Sequence, residues 1–140
     1  MTAISAAVNR QYKGIYKTRR FLMTASTTIP KGALVAVDAT TGLAKNAAAG
    51  AVDPVVGVAL ENVTSAASGS YYIQVGYDAE WLFAASSITQ GMVGDLMLVV
   101  DNNTVDETSA GSAVAGVLTE YVSTTSGWVY VPGLTIKHAV

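Results

Sequence analysis

The sequence predicts an all-β fold, a small barrel or sandwich built from two similar half-units with a few short helical turns. Two observations lead to it. Short runs of β-branched and aromatic residues alternate with stretches rich in Gly, Ser, Thr, Asn and Asp, a pattern typical of strands separated by turns. In addition, one series of short motifs occurs twice in the same order. The length of 140 residues fits one domain, which we place at residues 21–140, after an N-terminal arm at residues 1–20.

The strand candidates are short apolar runs bounded by turn residues. Residues 32–44 fit a strand, a turn at Asp38–Gly42 and a second strand. Ala-rich residues 44–51 could form a helical turn but nothing longer, because a Gly lies within them and Asp53–Pro54 follows. Further strands are expected at 71–75, 96–100, 114–118 and 128–131, with loops at 64–70, 101–112 and 123–127.

The duplicated motifs define two units, at about residues 29–76 and 88–133. Each unit has Ile-x-x-Gly, a strand ending in Asp, Gly-Val-x-x-Glu-x-Val, and Ser-Gly leading into an aromatic–Val strand. The matched segments are 29–32 with 88–91, 35–38 with 98–101, 57–63 with 116–122, and 68–76 with 126–133. Neither unit could bury its apolar face alone, so we expect one shared body.

The glycines of these motifs have different expected roles. Gly32 and Gly91 each follow Ile-x-x and suit a tight turn that introduces a strand. Gly57 and Gly116 lie inside apolar runs, where a bulge or a close approach of two backbones is the usual reason for glycine.

Candidate catalytic and metal-binding residues are few. There is no cysteine, and His138, the only histidine, stands three residues from the C-terminus, where a rigid catalytic setting is not expected. No nucleotide, phosphate or nucleophile motif occurs. The segment with Asp101, Asn103, Asp106 and Glu107 begins like a calcium loop, but Asp106 stands where that loop needs Gly and Ser112 where it needs Glu. We therefore expect no enzyme, no cofactor and no metal.

Two pairs of carboxylates recur in the repeat. Asp38 matches Asp101 and Glu61 matches Glu120. Paired carboxylates can serve acid–base chemistry, but recurrence in both units favours a shared structural role, such as ending a strand. The longest apolar runs are far shorter than the ~20 residues that span a bilayer, so no membrane contact is expected.

Charge is segregated along the chain. The net charge is −2, yet the N-terminal arm carries five bases and no acid, whereas residues 21–140 carry three bases and ten acids. Charged residues make up 13% of the sequence, about half of the usual ~25%, which favours an oligomer that hides part of its surface. The basic residues of the arm are interleaved with apolar ones, and its candidate partner-binding residues are Arg10, Tyr12, Lys13, Tyr16, Lys17, Arg19 and Arg20.

The conformation of the arm is harder to assign. As a strand it would carry charge on both faces, and as a helix its apolar stripe would contain Gly14. The arm is therefore interpreted as an extension ordered mainly by contact with a partner, with Phe21–Leu22 beginning the packed body. A frayed, solvated terminus is the alternative. A nucleic acid could bind five bases and the tyrosines, but the remaining −7 would repel it, so an acidic protein surface fits better.

Residues 27–132 resemble the capsid decoration, or cement, proteins of tailed bacteriophages. The resemblance rests on "TTIPKGALVAVDATTGLAKNA", "PVVGVALENV", "ITQGMVGD" and "GWVYVP". It implies a non-enzymatic domain of β-tulip or β-clip type that assembles as a homotrimer on the outer capsid surface of the virion and bridges neighbouring copies of the major capsid protein. The long basic arm has no counterpart in that pattern. The other hypothesis is a β-barrel binding module for nucleic acid or glycan.

Overall fold

The computed structural model describes residues 2–50, 52–67, 70–109 and 111–133, which form thirteen strands and one 3₁₀ turn. The N-terminal half contains β1 Tyr12–Lys13, β2 Lys17–Leu22, β3 Thr28–Ile29, β4 Leu34–Val37, β5 Ala44–Asn46, β6 Val55–Ala59, β7 Val63–Thr64 and β8 Tyr72–Tyr77. The C-terminal half contains β9 Ala79–Ala85, the 3₁₀ turn Gln90–Met92, β10 Leu96–Val99, β11 Thr104–Asp106, β12 Val114–Ser123 and β13 Ser126–Val131. The predicted all-β class is confirmed.

The C-terminal half, the second unit, is a closed five-stranded barrel. Its strand order is β9-β11-β10-β12-β13, and β13 pairs with β9 to close the ring. Every neighbouring pair is antiparallel except β11 with β9, which is parallel. Closure leaves no long unpaired edge in this ring, which protects it from pairing with other chains.

The N-terminal half, the first unit, repeats this arrangement. Its order is β2-β8-β6-β4-β5, all antiparallel, and a parallel bridge from Met23 to Ala44 brings the end of β2 back to β5. The strands β2, β4, β5, β6 and β8 thus occupy the places of β9, β10, β11, β12 and β13. The two half-units predicted from the sequence are present, but each begins one strand earlier than the motifs suggest, at β2 and at β9.

The pairing also corrects three of the four motif alignments, and only that of 57–63 with 116–122 keeps its register at the paired glycines. Val35 and Met97 take equivalent places, because they face Gly57 and Gly116, so the matching of 35–38 with 98–101 is one residue out. The turn glycine that corresponds to Gly32 is Gly94 instead of Gly91, because their N–H groups donate to the equivalent carbonyl oxygens of Ala59 and Leu118.

The fourth alignment concerns the last strand of each unit. Val75 and Val129 take equivalent places, because each faces the second residue after the paired glycine, Ala59 or Leu118. The matching of 68–76 with 126–133 is therefore out of register. Two other sequence expectations are wrong: the Ala-rich stretch begins with β5 instead of a helical turn, and the expected loop 101–112 contains β11.

Gly57 and Gly116 confirm the expected close approach. Each faces a strand whose pairing shifts by one residue beside it, β4 for Gly57 and β10 for Gly116. A Cβ added to Gly57 would lie 2.4 Å from the carbonyl oxygen of Gly76, and one added to Gly116 would lie 1.9 Å from that of Tyr130. Gly76 and Tyr130 are equivalent residues of β8 and β13, so both units need glycine for the same reason.

The core has two clusters that meet at β4 and β6. In β4, Leu34 and Ala36 pack with the second unit, while Val35 and Val37 pack within the first. Strand β6 divides its side chains in the same way. Both strands are buried along their whole length, which explains why their sequences are continuous apolar runs instead of alternating ones. They form a wall shared by the two units.

No helix in the described ranges is both long and apolar enough to cross a membrane.

Candidate attachment surface

The N-terminal arm lies on the surface of the two units, with which it forms hydrogen bonds. The backbone N–H of Val8 donates to the carbonyl oxygen of Lys31 in the first unit. The side chain of Asn102, in the second unit, accepts from the N–H of Ile4 and donates to its carbonyl oxygen. Further along, β1 pairs with β9. The arm therefore has a defined place on the chain itself, which differs from the expectation that a partner would order it.

Strand β2 crosses the boundary that the sequence placed after residue 20. Its six residues pair one for one with β8, so residues 17–20 are continuous with Phe21 and Leu22. The first four are exposed, and β2 is also the last strand in its sheet order. Charged side chains on such a strand discourage pairing with a strand of another molecule. The two-sided charge pattern, which argued against a core strand, belongs to a strand with little buried surface.

Arg10 holds the arm to both units. Its Nε donates to the carbonyl oxygen of Gly32 at 2.7 Å, Nη1 to that of Leu82 at 2.8 Å, and Nη2 to Oδ1 of Asn103 at 2.7 Å. The guanidinium carbon lies 4.4 Å from the centre of the Phe83 ring. Burial lowers the pKa of Arg10 to about 10, which still leaves it charged at neutral pH. The sequence placed Arg10 in a partner contact, but its hydrogen bonds are made within the chain.

Tyr12 and Tyr16 form an aromatic cluster with Trp81 of β9. The two tyrosine rings meet edge to face with centres 5.1 Å apart, and the Tyr16 and Trp81 ring centres are 6.1 Å apart. Such pairs contribute about 0.5–1.5 kcal/mol beyond the burial of their area. Tyr12 remains 52% exposed, so about half of its surface is accessible to solvent.

Lys13 and Lys17 each reach a carboxylate of the second unit or the link before it. Nζ of Lys13 lies 2.8 Å from Oε1 of Glu120 and 4.2 Å from the centre of the Trp128 ring. Nζ of Lys17 lies 3.4 Å from Oδ2 of Asp78, the single residue between β8 and β9. Both lysines are solvent-exposed, so these ion pairs are weak and can be exchanged for others.

Asp78 also accepts a hydrogen bond from the hydroxyl of Tyr130. This bond, followed by the contact with Lys17, lowers the pKa of Asp78. The same bond raises the pKa of Tyr130, because it is made by the neutral phenol. The backbone of Asp78 has a φ of 63°, a left-handed conformation that Asp tolerates better than most residues.

Arg19 and Arg20 differ from the other bases of the arm. Arg19 lies over Tyr77 at 4.6 Å and donates from Nη2 to the tyrosine hydroxyl at 3.1 Å. Arg20 lies over Tyr72 at 4.3 Å. As neighbours in a strand they project from opposite faces. Within the described part of the chain, neither guanidinium has a carboxylate within salt-bridge distance.

The turn between β1 and β2 presents an apolar side chain to solvent. Ile15 is 94% exposed and stands between the strands that carry Lys13 and Lys17. Gly14 precedes it with a φ of 91°. An exposed isoleucine contributes nothing to the core, so its position at the tip of a basic turn suits contact with another molecule. We call Ile15, Arg19 and Arg20, with Tyr72 and Tyr77, the attachment surface.

The aromatic partners of these cations are not evident from the sequence alone. Tyr72, Tyr77 and Trp128 lie more than 50 residues from the bases they contact. The sequence feature that bears on them is the alternation in β8, where the exposed Tyr72 and the half-buried Tyr77 flank the buried Ile73 and Val75. It indicates a strand, but only the pairing of β2 with β8 places each arginine on its ring.

The acidic candidates have structural roles. Oδ1 of Asp38 accepts from the N–H groups of Thr40 and Thr41, and Oδ1 of Asp101 accepts from the N–H of Asn103. Both carboxylates accept backbone N–H groups just after a strand, but the pairing places Asp101 one residue further along its unit than Asp38. Glu61 and Glu120 differ, because Glu61 accepts from the backbone of Gln74 and Glu120 pairs with Lys13.

Asp106 of the calcium-like segment holds a local turn. Oδ1 of Asp106 accepts from the N–H groups of Thr108 and Ser109. The residues that the structure describes contain no group of three or more His, Cys, Asp or Glu that could hold a metal ion. His138 lies outside the described residues.

Comparison with known proteins finds a structural likeness. No protein-family model matches the sequence, and no curated protein matches it. The chain is similar to the N base of the head fiber protein gp8.5 of bacteriophage phi29, with 20% sequence identity and a TM-score of 0.49, over 86% of this chain and 100% of that one. At this identity and score the function has to rest on the residues of this chain.

Proposed function

We propose that this protein is a structural component of a bacteriophage virion, a decoration or cement protein that binds the outside of the head shell. It stabilises the shell by bridging neighbouring copies of the major capsid protein. The observation that carries the proposal is the pair Arg19 and Arg20, two exposed guanidinium groups held against tyrosine rings without a carboxylate within reach in the described chain.

Stacking on the tyrosine rings favours the binding of a carboxylate by these arginines. A free arginine side chain loses about 2 kcal/mol of rotamer entropy when it is fixed, and packing on a ring removes part of that loss before a partner arrives. The guanidinium edge stays available to form two parallel hydrogen bonds with a carboxylate. Because the two groups face opposite sides of β2, they reach two different acidic groups, which suits a contact between two neighbouring subunits.

The class of partner follows from the charge of the rest of the protein. Residues 21–140 carry three bases and ten acids, and this excess repels a polyanion such as nucleic acid over a longer range than the arm attracts it. A protein surface with a local acidic patch has no such penalty. The resemblance of residues 27–132 to phage decoration proteins supplies the identity of that surface, the major capsid protein.

Assembly as a homotrimer completes the proposal. A charged fraction of 13% leaves few groups to keep a large surface in water, so burial of surface between copies is favourable. Exposed apolar residues outside the arm, including Leu96 and Val114, are available for such contacts. Light scattering of the purified protein, alone and after release from heads, measures the oligomeric state, and a dimer in both conditions would contradict a trimer.

The attachment is tested with undecorated heads and a double variant, Arg19→Gln with Arg20→Gln. Loss of two exposed arginine–carboxylate contacts, each worth about 1 kcal/mol at a solvated surface, is expected to weaken binding roughly 10–100-fold. The matched control is Ala48→Glu with Ala49→Glu, which changes the net charge by the same −2 in an exposed loop. Point variants are preferable to removal of residues 1–20, because that deletion also removes Arg10 and most of β2.

Equal binding by the Arg19 and Arg20 variant and by its control would refute the role of the attachment surface. Wild-type binding should also fall as the salt concentration rises, since both guanidinium groups lie at the surface. Tight binding of the wild type to nucleic acid or to a glycan, in the absence of heads, would instead favour the binding-module hypothesis.

A further inference from the structure

A cavity opens where the arm meets both units. Its volume is about 270 Å³. The arm contributes Arg10, Tyr12 and Tyr16, the first unit contributes Lys31 and Leu60, and the second unit contributes Trp81. The lining therefore combines three aromatic rings with two basic side chains. None of these residues belongs to the attachment surface.

The two cations of this cavity have only neutral partners. Arg10 donates to two backbone carbonyls and to the amide oxygen of Asn103. Nζ of Lys31 donates to Oδ1 of Asn9 at 3.0 Å. No acidic residue lines the cavity, and neither cation has a carboxylate within salt-bridge distance in the described chain. The site has two positive charges that no lining group neutralises.

Burial makes this imbalance significant. Desolvation is the main cause that lowers the pKa of Arg10, and the distant charge of Asp101 offsets it only in part. A carboxylate that enters the cavity would be attracted to both cations, and its pairing with the partly buried Arg10 would be stronger than a pair at an open surface, whereas Lys31 is exposed. Positive charge on two sides disfavours a cationic occupant.

Size restricts the occupant further. Sites for small organic ligands usually measure about 300–1,000 Å³. This cavity is slightly smaller, which suits one side chain inserted by a loop. Arginine, tyrosine and tryptophan are also the residues that most often dominate binding between proteins when they line a pocket.

We infer that this cavity is a carboxylate-binding site, and that its occupant is a Glu or Asp side chain on a loop of the partner protein. The identity of that partner as a shell subunit rests on the proposed function. The cavity then acts as a second contact, separate from the attachment surface, that fixes the orientation of the bound protein.

The carboxylate site is tested on the full chain with a peptide probe. Trp81 and Trp128 are the two tryptophans, so a Trp128→Phe background makes the fluorescence report on the cavity alone. Titration with acetyl-Gly-Glu-Gly-amide should give a saturable change with a Kd on the order of 1 mM. The same peptide with Gln in place of Glu should bind about tenfold more weakly.

Substitution of Lys31 tests whether the peptide binds in this cavity. Lys31→Gln should weaken binding of the Glu peptide about tenfold, while Ala48→Glu, which makes the same charge change of −1 in an exposed loop outside the cavity, should leave it unchanged. Equal binding of the Glu and Gln peptides, or no effect of Lys31→Gln, would overturn the inference. Tighter binding of glucuronic acid than of the Glu peptide would also overturn it, in favour of an acidic sugar.

Binding to undecorated heads then tests whether a shell subunit is the partner that supplies the carboxylate. If Lys31→Gln weakens binding both to the peptide and to undecorated heads, the shell supplies the occupant. If it weakens only peptide binding, the shell is refuted as the partner of this cavity. If the wild type does not bind heads at all, the proposed function fails, and the peptide titration still decides whether the cavity binds a carboxylate.

Discussion

Substitution of Gly116 by Ala tests the most constrained contact in the fold. The new Cβ would lie 1.9 Å from the carbonyl oxygen of Tyr130, 2.9 Å from its carbonyl carbon and 3.0 Å from Cγ1 of Val129. The first of these is more than an ångström shorter than any ordinary contact between carbon and oxygen. The obstacle is backbone, so no rotation of a side chain can relieve it.

The expected loss of stability follows from the closed ring. Strand β12 lies between β10 and β13, and β13 in turn is held by β9, so β12 cannot move away from Tyr130 without breaking other pairings. Insertion of atoms into a packed interior costs about 1–3 kcal/mol. One lost backbone hydrogen bond adds about 0.5–1.5 kcal/mol. We therefore expect the free energy of unfolding to fall by about 2–4 kcal/mol.

Urea unfolding followed by tryptophan fluorescence measures this change. Gly91→Ala is the control, because its Cβ would meet only Oγ1 of Thr89 at 3.9 Å and its backbone is not left-handed. The control should stay within about 0.5 kcal/mol of the wild type. Gly57→Ala should behave like Gly116→Ala, since its Cβ would meet the equivalent carbonyl. A Gly116→Ala protein as stable as the control would refute the close approach.

Three further predictions concern the arm and its surroundings. Arg10→Ala should lower the free energy of unfolding by about 1–3 kcal/mol, because three acceptors lose a charged donor, and amide hydrogen exchange should show faster exchange at the N-H of Val8. The lowered pKa of Asp78 contributes stability above about pH 3.9 that is lost as the pH falls through its lower folded value; urea midpoints between pH 6 and pH 2 should therefore fall less steeply in Asp78→Asn. Ile15→Ser should leave the urea midpoint unchanged, because the side chain is 94% exposed, and should weaken binding to undecorated heads; unchanged head binding would remove Ile15 from the attachment surface.

The duplication was accessible from the sequence because it is carried by residues with strong local requirements. Gly57 and Gly116 are needed where two backbones meet, and Ile29 and Ile88 are both fully buried. Each requirement restricts the residue type at a single position, so it can be recognised in the sequence. The strand β9 is absent from the predicted strands although its side chains alternate between buried and half-buried, since one residue, Asp78, links it to β8 without a Gly or Pro to mark the turn.

The state of the arm could not be read from the sequence in the same way. Each of its basic residues is held by a group far away in the chain, for example Arg10 by Asn103 and Lys13 by Glu120. Such contacts depend on the register of β1 and β2, which is set by the pairing with β9 and β8. Local composition gives the charge of the segment, while the fold decides which charges remain available to a partner.

The shared wall formed by β4 and β6 means that the two halves, although built on one plan, are not modules. A chain that ended after Tyr77 would leave Leu34, Ala36 and Val58 without the side chains of the second unit that cover them. Each unit thus covers apolar side chains of the other. The protein should therefore unfold in a single calorimetric transition. One unit alone would therefore lack part of its core. A third unit could not simply be appended, because no further face of β4 or β6 is free to receive it.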